Sequence, residues 1–191
     1  MTNSFTGQGA FKGSGKIALG SQTPAPPAKP SVSGGTLTSD STYYYRTFTA
    51  SDTLTISNNS LSADILVIGG GGNNPGNGSG GGGAGGVVMN PVFLPAGSGT
   101  VTVTVGAGGT AQSANSSTPG TSGTNTTVTF SANSAANITA YGGGYGGVWT
   151  SQNGASGGSG GGGSGNTYLS GGAANNANNN YGNPGSNAPG G

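Results

Sequence analysis

Apolar and polar residues alternate in several short windows of the chain, and each window predicts a β-strand. Residues 100–105 give the clearest pattern, because valines occupy one face and threonines the other. Residues 52–57 alternate in the same way, and Leu54 and Ile56 are predicted to point inward. Both windows therefore predict strands with one face in a hydrophobic core.

Further strands are predicted on both sides of these windows. The unbroken apolar run at residues 65–68 predicts that residues 63–68 form a fully buried central strand. Alternation also places Tyr44, Arg46 and Phe48 on one face of an earlier strand. The other predicted strands are two short ones at 87–89 and 92–94, one marked by Thr126, Val128 and Phe130, and one at 137–141.

Six to eight short strands separated by Gly, Pro and Asn turns indicate an all-β protein. No window shows a helical period, and the glycine density would destabilise a helix. The predicted fold is a small β-sandwich or jelly-roll-like domain that occupies residues 36–141.

Glycine tracts interrupt this predicted sheet at residues 69–86, 106–109, 142–147 and 157–165, and glycine supplies 45 of the 191 residues. An isolated tract should stay flexible, because ordering costs roughly 1–2 kcal/mol per residue and one hydrogen bond returns only about 0.5–1.5 kcal/mol. Several tracts that lie side by side can pair their main-chain groups laterally. We therefore expect stacked polyglycine II-type loops, with residues 142–191 forming glycine- and asparagine-rich loops and a tail.

Residues 1–35 are predicted to form an extended N-terminal arm that anchors the protein to a partner. A proline-rich stretch at residues 23–30 reads as a stiff polyproline II spacer. An ordinary ragged terminus followed by a linker is the alternative. The proposed anchoring residues are apolar or basic side chains spaced among Gly and Ser: Phe5, Phe11, Lys12, Lys16, Ile17 and Leu19.

The composition excludes several functional classes. Charged residues make up 4% of the chain and the net charge is +1, so the chain lacks the basic surface that binds nucleic acid. No run of about 20 apolar residues predicts a membrane span. The N-terminus does not have the pattern of a secretory signal, so we expect synthesis in a cytoplasm.

Catalytic and cofactor sites are not predicted either. The chain has no His or Cys, and its three Asp residues are isolated in sequence, so neither an acid–base pair nor a metal site is indicated. The spacing of Gly76, Gly78 and Gly81 fits a dinucleotide-binding fingerprint, but no helix or later acidic residue follows it. The protein is therefore predicted not to be an enzyme, with no metal and no cofactor.

Aromatic residues among the glycines are the remaining candidates for a binding site. Aromatic rings beside Asn and Thr side chains offer an apolar platform with hydrogen-bonding edges, which suits a host surface glycan or protein. The alternative is that these rings pack over the glycine tracts or against a neighbouring subunit. The candidate residues are Tyr141, Tyr145, Trp149, Tyr168 and Tyr181.

Three motifs combine strand residues with glycine tracts: DILVIGGGG at residues 64–72, GGGGAGGVV at 80–88 and TVTVTVGAGG at 100–109. In this order they resemble the glycine-rich domain of bacteriophage virion proteins. The sequences YRTFT at 45–49 and YGGGY at 141–145 also look like family elements, so the resemblance covers roughly residues 42–165. It implies a β-domain with stacked polyglycine II loops in a protein of the phage particle, often a tail-fibre or tip adhesin.

Together these observations predict a non-enzymatic virion protein, with a tail-fibre or tip adhesin as the leading hypothesis. A capsid or tail decoration protein is the nearest alternative. An ice-binding protein is an alternative of another class, although the sequence has no regular three-residue repeat. The expected partners are other virion proteins, which the arm would contact, and further copies of the chain in a symmetric assembly.

Overall fold

The computed structural model describes residues 29–76, 78–94, 99–110, 112, 118–149, 152–165 and 169–188. In this part of the chain the regular structure is almost entirely β, as predicted, and only two single-turn 3₁₀ segments, Ser134–Ala136 and Ala177–Asn179, are helical. None of the described helical segments is long and apolar enough to cross a membrane. The predicted anchoring residues Phe5, Phe11, Lys12, Lys16, Ile17 and Leu19 lie outside the described residues.

A five-stranded antiparallel sheet forms one layer of the fold. Its spatial order is β1-β4-β7-β8-β9, so each strand pairs with an antiparallel neighbour. The bounds are β1 Ser31–Ser33, β4 Asp52–Ser57, β7 Gly99–Thr104, β8 Thr126–Phe130 and β9 Ile138–Ala140. The predicted alternation is confirmed in β4 and β7, where Ile56, Val101 and Val103 are buried while the threonines of β7 are exposed.

A two-stranded antiparallel ribbon, β5 (Leu61–Ile68) with β6 (Val87–Leu94), packs on this sheet. Val67 and Val88 extend from the ribbon into the same core cluster as Ile56, Val101 and Phe130 of the sheet. The two layers therefore form a small sandwich around one core.

The sequence prediction for the ribbon was wrong in two respects. Residues 63–68 do not form a fully buried strand, because β5 alternates and leaves Leu66 and Ile68 more than half exposed. The ribbon has the five-stranded sheet on one face only, so every second apolar residue faces outward. Residues 87–89 and 92–94 are also not separate strands, since Pro91 lies within the single strand β6, opposite Asp64.

A separate hairpin, β2 (Thr36–Ser39) with β3 (Tyr44–Thr47), follows β1. The Arg46 guanidinium donates hydrogen bonds to the carbonyl oxygens of Val32 and Gly34, which ties the hairpin to the first strand of the sheet. Arg46 and Phe48 are partly buried, whereas Tyr44 on the same predicted face is 81% exposed. Only part of the predicted face therefore packs.

The glycine-rich segments all leave the sandwich at one end. The end of β5 pairs with the start of β6 through Ile68 and Val87, and the end of β9 pairs with the start of β8 through Ala140 and Thr126. Main-chain hydrogen bonds from Gly86 N to Tyr141 O (2.7 Å) and from Gly70 N to Thr124 O (3.0 Å) join the two layers just beyond these pairs. The glycine-rich segments thus form one body that is continuous with the sandwich.

Candidate functional site

Nine extended segments stand side by side beyond this end of the sandwich, in the part of the chain that the structure describes. We call them rods R1 to R9. Their limits are R1 69–75, R2 80–86, R3 105–110, R4 120–125, R5 141–148, R6 152–157, R7 159–164, R8 169–175 and R9 182–188. Odd-numbered rods run away from the sandwich and even-numbered rods return toward it. At about 3.1 Å per residue, the eight residues of R5 extend roughly 25 Å.

The rods are joined by main-chain hydrogen bonds that repeat every three residues. R2 donates to R5 from Gly80, Gly83 and Gly86, at distances of 2.9, 2.7 and 2.7 Å. R5 donates to R7 from Gly144 to Ser159 and from Gly147 to Gly162, both at 2.9 Å. A three-residue repeat without internal hydrogen bonds is the geometry of the polyproline II helix. The bundle is therefore a stack of polyglycine II rods, as the sequence predicts.

Close contact between rods explains why so many of these residues are glycine. A Cβ atom on Gly144 or Gly146 would lie less than 3.0 Å from the main chain of the neighbouring rod. The described rod glycines have no φ in the left-handed region, so left-handed backbone is not the reason for glycine there. The requirement is for space between main chains. Gly81 is an exception, since nothing lies within 4 Å of the place its Cβ would occupy.

Side chains of Ser, Thr and Asn accept rod N–H groups that are not accepted by a main-chain carbonyl. Asn125 Oδ1 accepts from Gly142 N and Ser122 Oγ accepts from Tyr145 N, at 2.9 and 3.3 Å. Asn153 Oδ1 accepts from Ser170 N in the same way, at 2.9 Å. The amide- and hydroxyl-rich composition thus completes the hydrogen bonding of the bundle surface.

One buried amide joins the base of the bundle to the sandwich. Asn180 is 2% exposed; its Oδ1 accepts from Tyr141 N at 2.9 Å, and its Nδ2 donates to the carbonyls of Thr139 and Ala177 at 2.8 and 2.9 Å. The signal in the sequence was the run of asparagines, which reads as a loop. Sequence reasoning therefore missed the residue.

The far end of the bundle is a surface built from turns. Val148 and Pro75 are buried there, while Trp149 is 45% exposed. The indole of Trp149 lies against Gly78, which belongs to the turn between R1 and R2. Gly165, after R7, donates a hydrogen bond to Gly78 O at 3.4 Å. Turns from three parts of the chain are therefore held together around one exposed aromatic ring.

The structure separates the aromatic residues that the sequence singled out. Tyr141 begins R5 at the base of the bundle and is partly buried, with its hydroxyl accepting from Asn178 Nδ2 at 3.0 Å. Tyr145 is partly buried in the middle of the same rod, and Trp149 follows the rod at the far end. Tyr181 lies beside the ribbon, where it pairs with Val87 and is 69% exposed.

These described aromatic residues therefore do not form one platform. Tyr168 lies outside the described residues. The role of all five in binding stays a prediction.

The carboxylates near the hairpin have structural partners. The Tyr45 hydroxyl donates to Asp40 at 2.6 Å, and this bond, with the N–H groups of Tyr43 and Thr42, lowers the pKa of Asp40. The N–H of Gly35, together with that of Thr53, lowers the pKa of Asp52. Among the described residues no three acidic, His or Cys side chains come together as a metal site.

Comparison with known proteins gives one result at the level of the family. A family model described as a glycine-rich domain matches residues 46–191. This range includes all nine rods and most of the sandwich. No curated protein and no solved structure matches the chain. On the strength of this match, the chain belongs to the glycine-rich domain family.

Proposed function

We propose that the protein is a non-enzymatic structural protein of a bacteriophage particle, most simply a tail-fibre or tip adhesin. The observation that carries the proposal is the exposed Trp149 at the far end of a bundle that is hydrogen-bonded throughout. In this proposal the sandwich is the platform, the rods are the support, and the far turns contact a host surface molecule.

The physical advantage of this arrangement is preorganisation. A binding surface made from free loops loses conformational entropy when it binds, which weakens its affinity. Here the turn that contains Gly78 is restrained by Trp149 and by the hydrogen bond from Gly165 before any ligand is present. Exposed tryptophan is also enriched at the centre of binding surfaces.

Binding to whole cells tests the adhesin proposal. Purified protein with a fluorescent label is titrated onto a panel of bacterial strains, beside the variants Trp149→Ala and Tyr181→Ala. Both residues are exposed aromatics, but Tyr181 lies at the opposite end of the bundle. An adhesin should bind some strain saturably, and Trp149→Ala should reduce the affinity at least tenfold while Tyr181→Ala leaves it unchanged. Equal binding by both variants would contradict the proposal.

A capsid or tail decoration protein is the second candidate, and the outer face of the ribbon favours it. Leu66 pairs directly with Met89 on this face, and these side chains are 60% and 65% exposed. Ile68 and Tyr181 are also exposed there. Contiguous exposed apolar side chains are typical of contacts with other proteins. A decoration protein would use this face to bind the particle.

Immunogold microscopy distinguishes the two candidates. Antibody against the purified protein is applied to phage particles whose genome encodes it. Gold at the tail end is expected for an adhesin, and gold distributed over the head is expected for a decoration protein. Particles that carry no gold, while the protein is found free in the lysate, would contradict both candidates. Thermal hysteresis of the purified protein tests the ice-binding alternative.

A further inference from the structure

Rod R5 is surrounded by other rods on all sides but one. Five rods bond directly to it, and in the order R4, R1, R2, R7, R6 each also bonds to the next. Within the described residues no main-chain hydrogen bond joins R6 to R4, so the ring is open there. At least one hydrogen bond from a donor N–H to an acceptor carbonyl links R5 to each neighbour. These bonds include, from donor to acceptor, Gly123 to Gly143 for R4, Gly143 to Gly70 for R1, Gly83 to Gly144 for R2, Gly144 to Ser159 for R7 and Ala155 to Tyr145 for R6.

The open position corresponds to one further neighbour of R5, at the end of this rod nearest the sandwich. Rods with three residues per turn direct their N–H groups 120° apart. In a hexagonal array each rod has six neighbours, so the five described neighbours of R5 leave one place open. A groove of about 270 Å³ lies at this place, with Ser122 and Asn125 of R4 on one wall, Ser156 of R6 and Asn175 of R8 on the other, and Tyr141 and Gly142 of R5 at the bottom. The volume is below the roughly 300–1,000 Å³ of pockets for small molecules.

The N–H groups of R5 show that the vacancy is part of the lattice. Gly143 and Gly146 donate to R1, and Gly144 and Gly147 donate to R7. The third pair of N–H groups, on Gly142 and Tyr145, is also spaced three residues apart. These N–H groups are directed toward the open place. In the absence of a rod, these two N–H groups are accepted by side chains of R4, Asn125 Oδ1 and Ser122 Oγ.

The walls of the groove offer further main-chain partners. Among the described residues, none donates a hydrogen bond to the carbonyl oxygen of Ser122 or of Ser156. Both residues are exposed, and they lie on opposite walls. A strand that entered the groove would therefore meet a main-chain acceptor on each side. It would also replace the side chains of Asn125 and Ser122 as the acceptor of the N–H groups of Gly142 and Tyr145.

We propose that this groove binds one extended, glycine-rich strand of another protein, which enters it as a tenth rod in the polyproline II conformation. A strand without side chains toward R5 is required, because neighbouring rods in this bundle approach too closely for a Cβ. The described rods of a second copy are not the occupant, because each of them is already bonded to at least two other rods. The inference is independent of the proposed function.

A titration followed by NMR tests the proposal on the full-length protein. The probe is a twelve-residue peptide with the repeat Gly-Gly-Asn and blocked ends, and the control is its counterpart with the repeat Ala-Ala-Asn. The glycine peptide should shift the amide signals of Ser122, Gly142, Tyr145 and Ser156 saturably. The alanine peptide should bind at least tenfold more weakly, because each of its residues carries a Cβ.

Two tryptophan variants locate the site. Ser156→Trp places a large side chain on the wall of the groove, with loss of the hydrogen bond that Ser156 Oγ accepts from Ala173 N, and should weaken binding of the glycine peptide at least tenfold. Ser186→Trp places the same side chain on another exposed serine, in R9 and away from the groove, and should leave binding unchanged. If Ser156→Trp fails to fold, Ser122→Ala serves instead. It frees the N–H of Tyr145 for the peptide and should bind at least as tightly as the unaltered protein.

Several outcomes would overturn the proposal. The first is no shift at the groove amides with the glycine peptide, and the second is equal binding by both peptides. A third is a shift of the same amides with an N-acetylglucosamine tetramer and not with peptide, which would make the groove a glycan site around Tyr141. A fourth is a concentration-dependent shift of these amides in the protein alone, which would identify a second copy as the occupant.

Discussion

The indole of Trp149 lies closer to Gly78 than a Cβ atom at residue 78 would permit. The nearest ring atoms would come within 3.0 Å of that Cβ, and Gly78 also has a φ of 69°, which favours glycine. Two independent reasons therefore require glycine at this turn. The contact joins R5, which ends beside Trp149, to the turn between R1 and R2.

We expect Gly78→Ala to displace the indole. Trp149 is the single tryptophan of the chain, so its fluorescence reports this contact alone. The emission maximum should move to longer wavelength and acrylamide quenching should increase, because the ring loses its support and becomes more hydrated. Gly81→Ala is the matched control, since its Cβ would meet nothing within 4 Å, and its spectrum should not change. An unchanged spectrum in Gly78→Ala would show that the contact does not hold the ring.

A second prediction concerns space within the bundle. Gly146→Ala places a Cβ against the carbonyl of Gly80, so it should lower the free energy of unfolding by about 1–3 kcal/mol or more, as overpacked cores do. Gly81→Ala should instead stabilise the protein by about 0.4–1 kcal/mol, because alanine loses less backbone entropy on folding. Denaturant unfolding measures both. Equal effects of the two substitutions would mean that the rods are not in contact.

The alternation of apolar and polar side chains made the sandwich predictable. Where this alternation is absent from the sequence, the prediction was wrong. Val101 and Val103 alternate with threonines, so the buried face of β7 could be read directly. The run at residues 65–68 has no polar residue, and for this reason the exposed positions Leu66 and Ile68 could not be distinguished from Val67. The exposure of Leu66 and Ile68 depends on whether a further layer covers the outer face of the ribbon, and the local sequence does not encode this.

The pairing of the rods could be expected in general but not in detail. Glycine content indicated lateral stacking, yet nothing in the sequence relates Gly144 to Ser159 or Gly83 to Gly144, because main-chain pairs have no side-chain signature. The role of Asn180 was hidden for the opposite reason. Its side chain determines the contact, but it stands in a run of asparagines in which only Asn180 is buried.

A third prediction follows from the three hydrogen bonds of this buried amide. Asn180→Ala should lower the free energy of unfolding by roughly 2–4 kcal/mol, since each bond contributes about 0.5–1.5 kcal/mol. The amide of Tyr141 should also exchange with deuterium faster than in the unaltered protein. Asn176→Ala is the control, because Asn176 is exposed and makes no side-chain cap, and it should have no effect. An effect of the same size in both variants would contradict the anchoring role of Asn180.

A fourth prediction concerns acid. Hydrogen bonds lower the pKa of Asp40 and of Asp52 below the ordinary value of 3.8. A lowered pKa in the folded state means that the carboxylates stabilise the fold above that ordinary value. This stabilisation is lost as pH falls through the folded-state pKa. The free energy of unfolding should therefore be constant between about pH 5 and about pH 7 and should decrease below about pH 4.

Substitution of the partner checks this assignment. The hydrogen bond from Tyr45 is the largest cause of the shift at Asp40, so Tyr45→Phe should reduce the acid dependence measured by thermal unfolding. Tyr44→Phe removes a hydroxyl from a ring that is 81% exposed and should leave the acid dependence as it is. If both variants keep the full acid dependence, other carboxylates are responsible.

The alternating direction of the rods has a consequence for how the protein can diversify. Every connection at the far end, such as the one between R1 and R2, begins and ends in rods whose spacing is set by main-chain contacts and not by side chains. Lengthening or rewriting such a connection therefore leaves the lattice unchanged. Natural variation can therefore alter the far turns one at a time, while the lattice of rods beneath them is inherited intact.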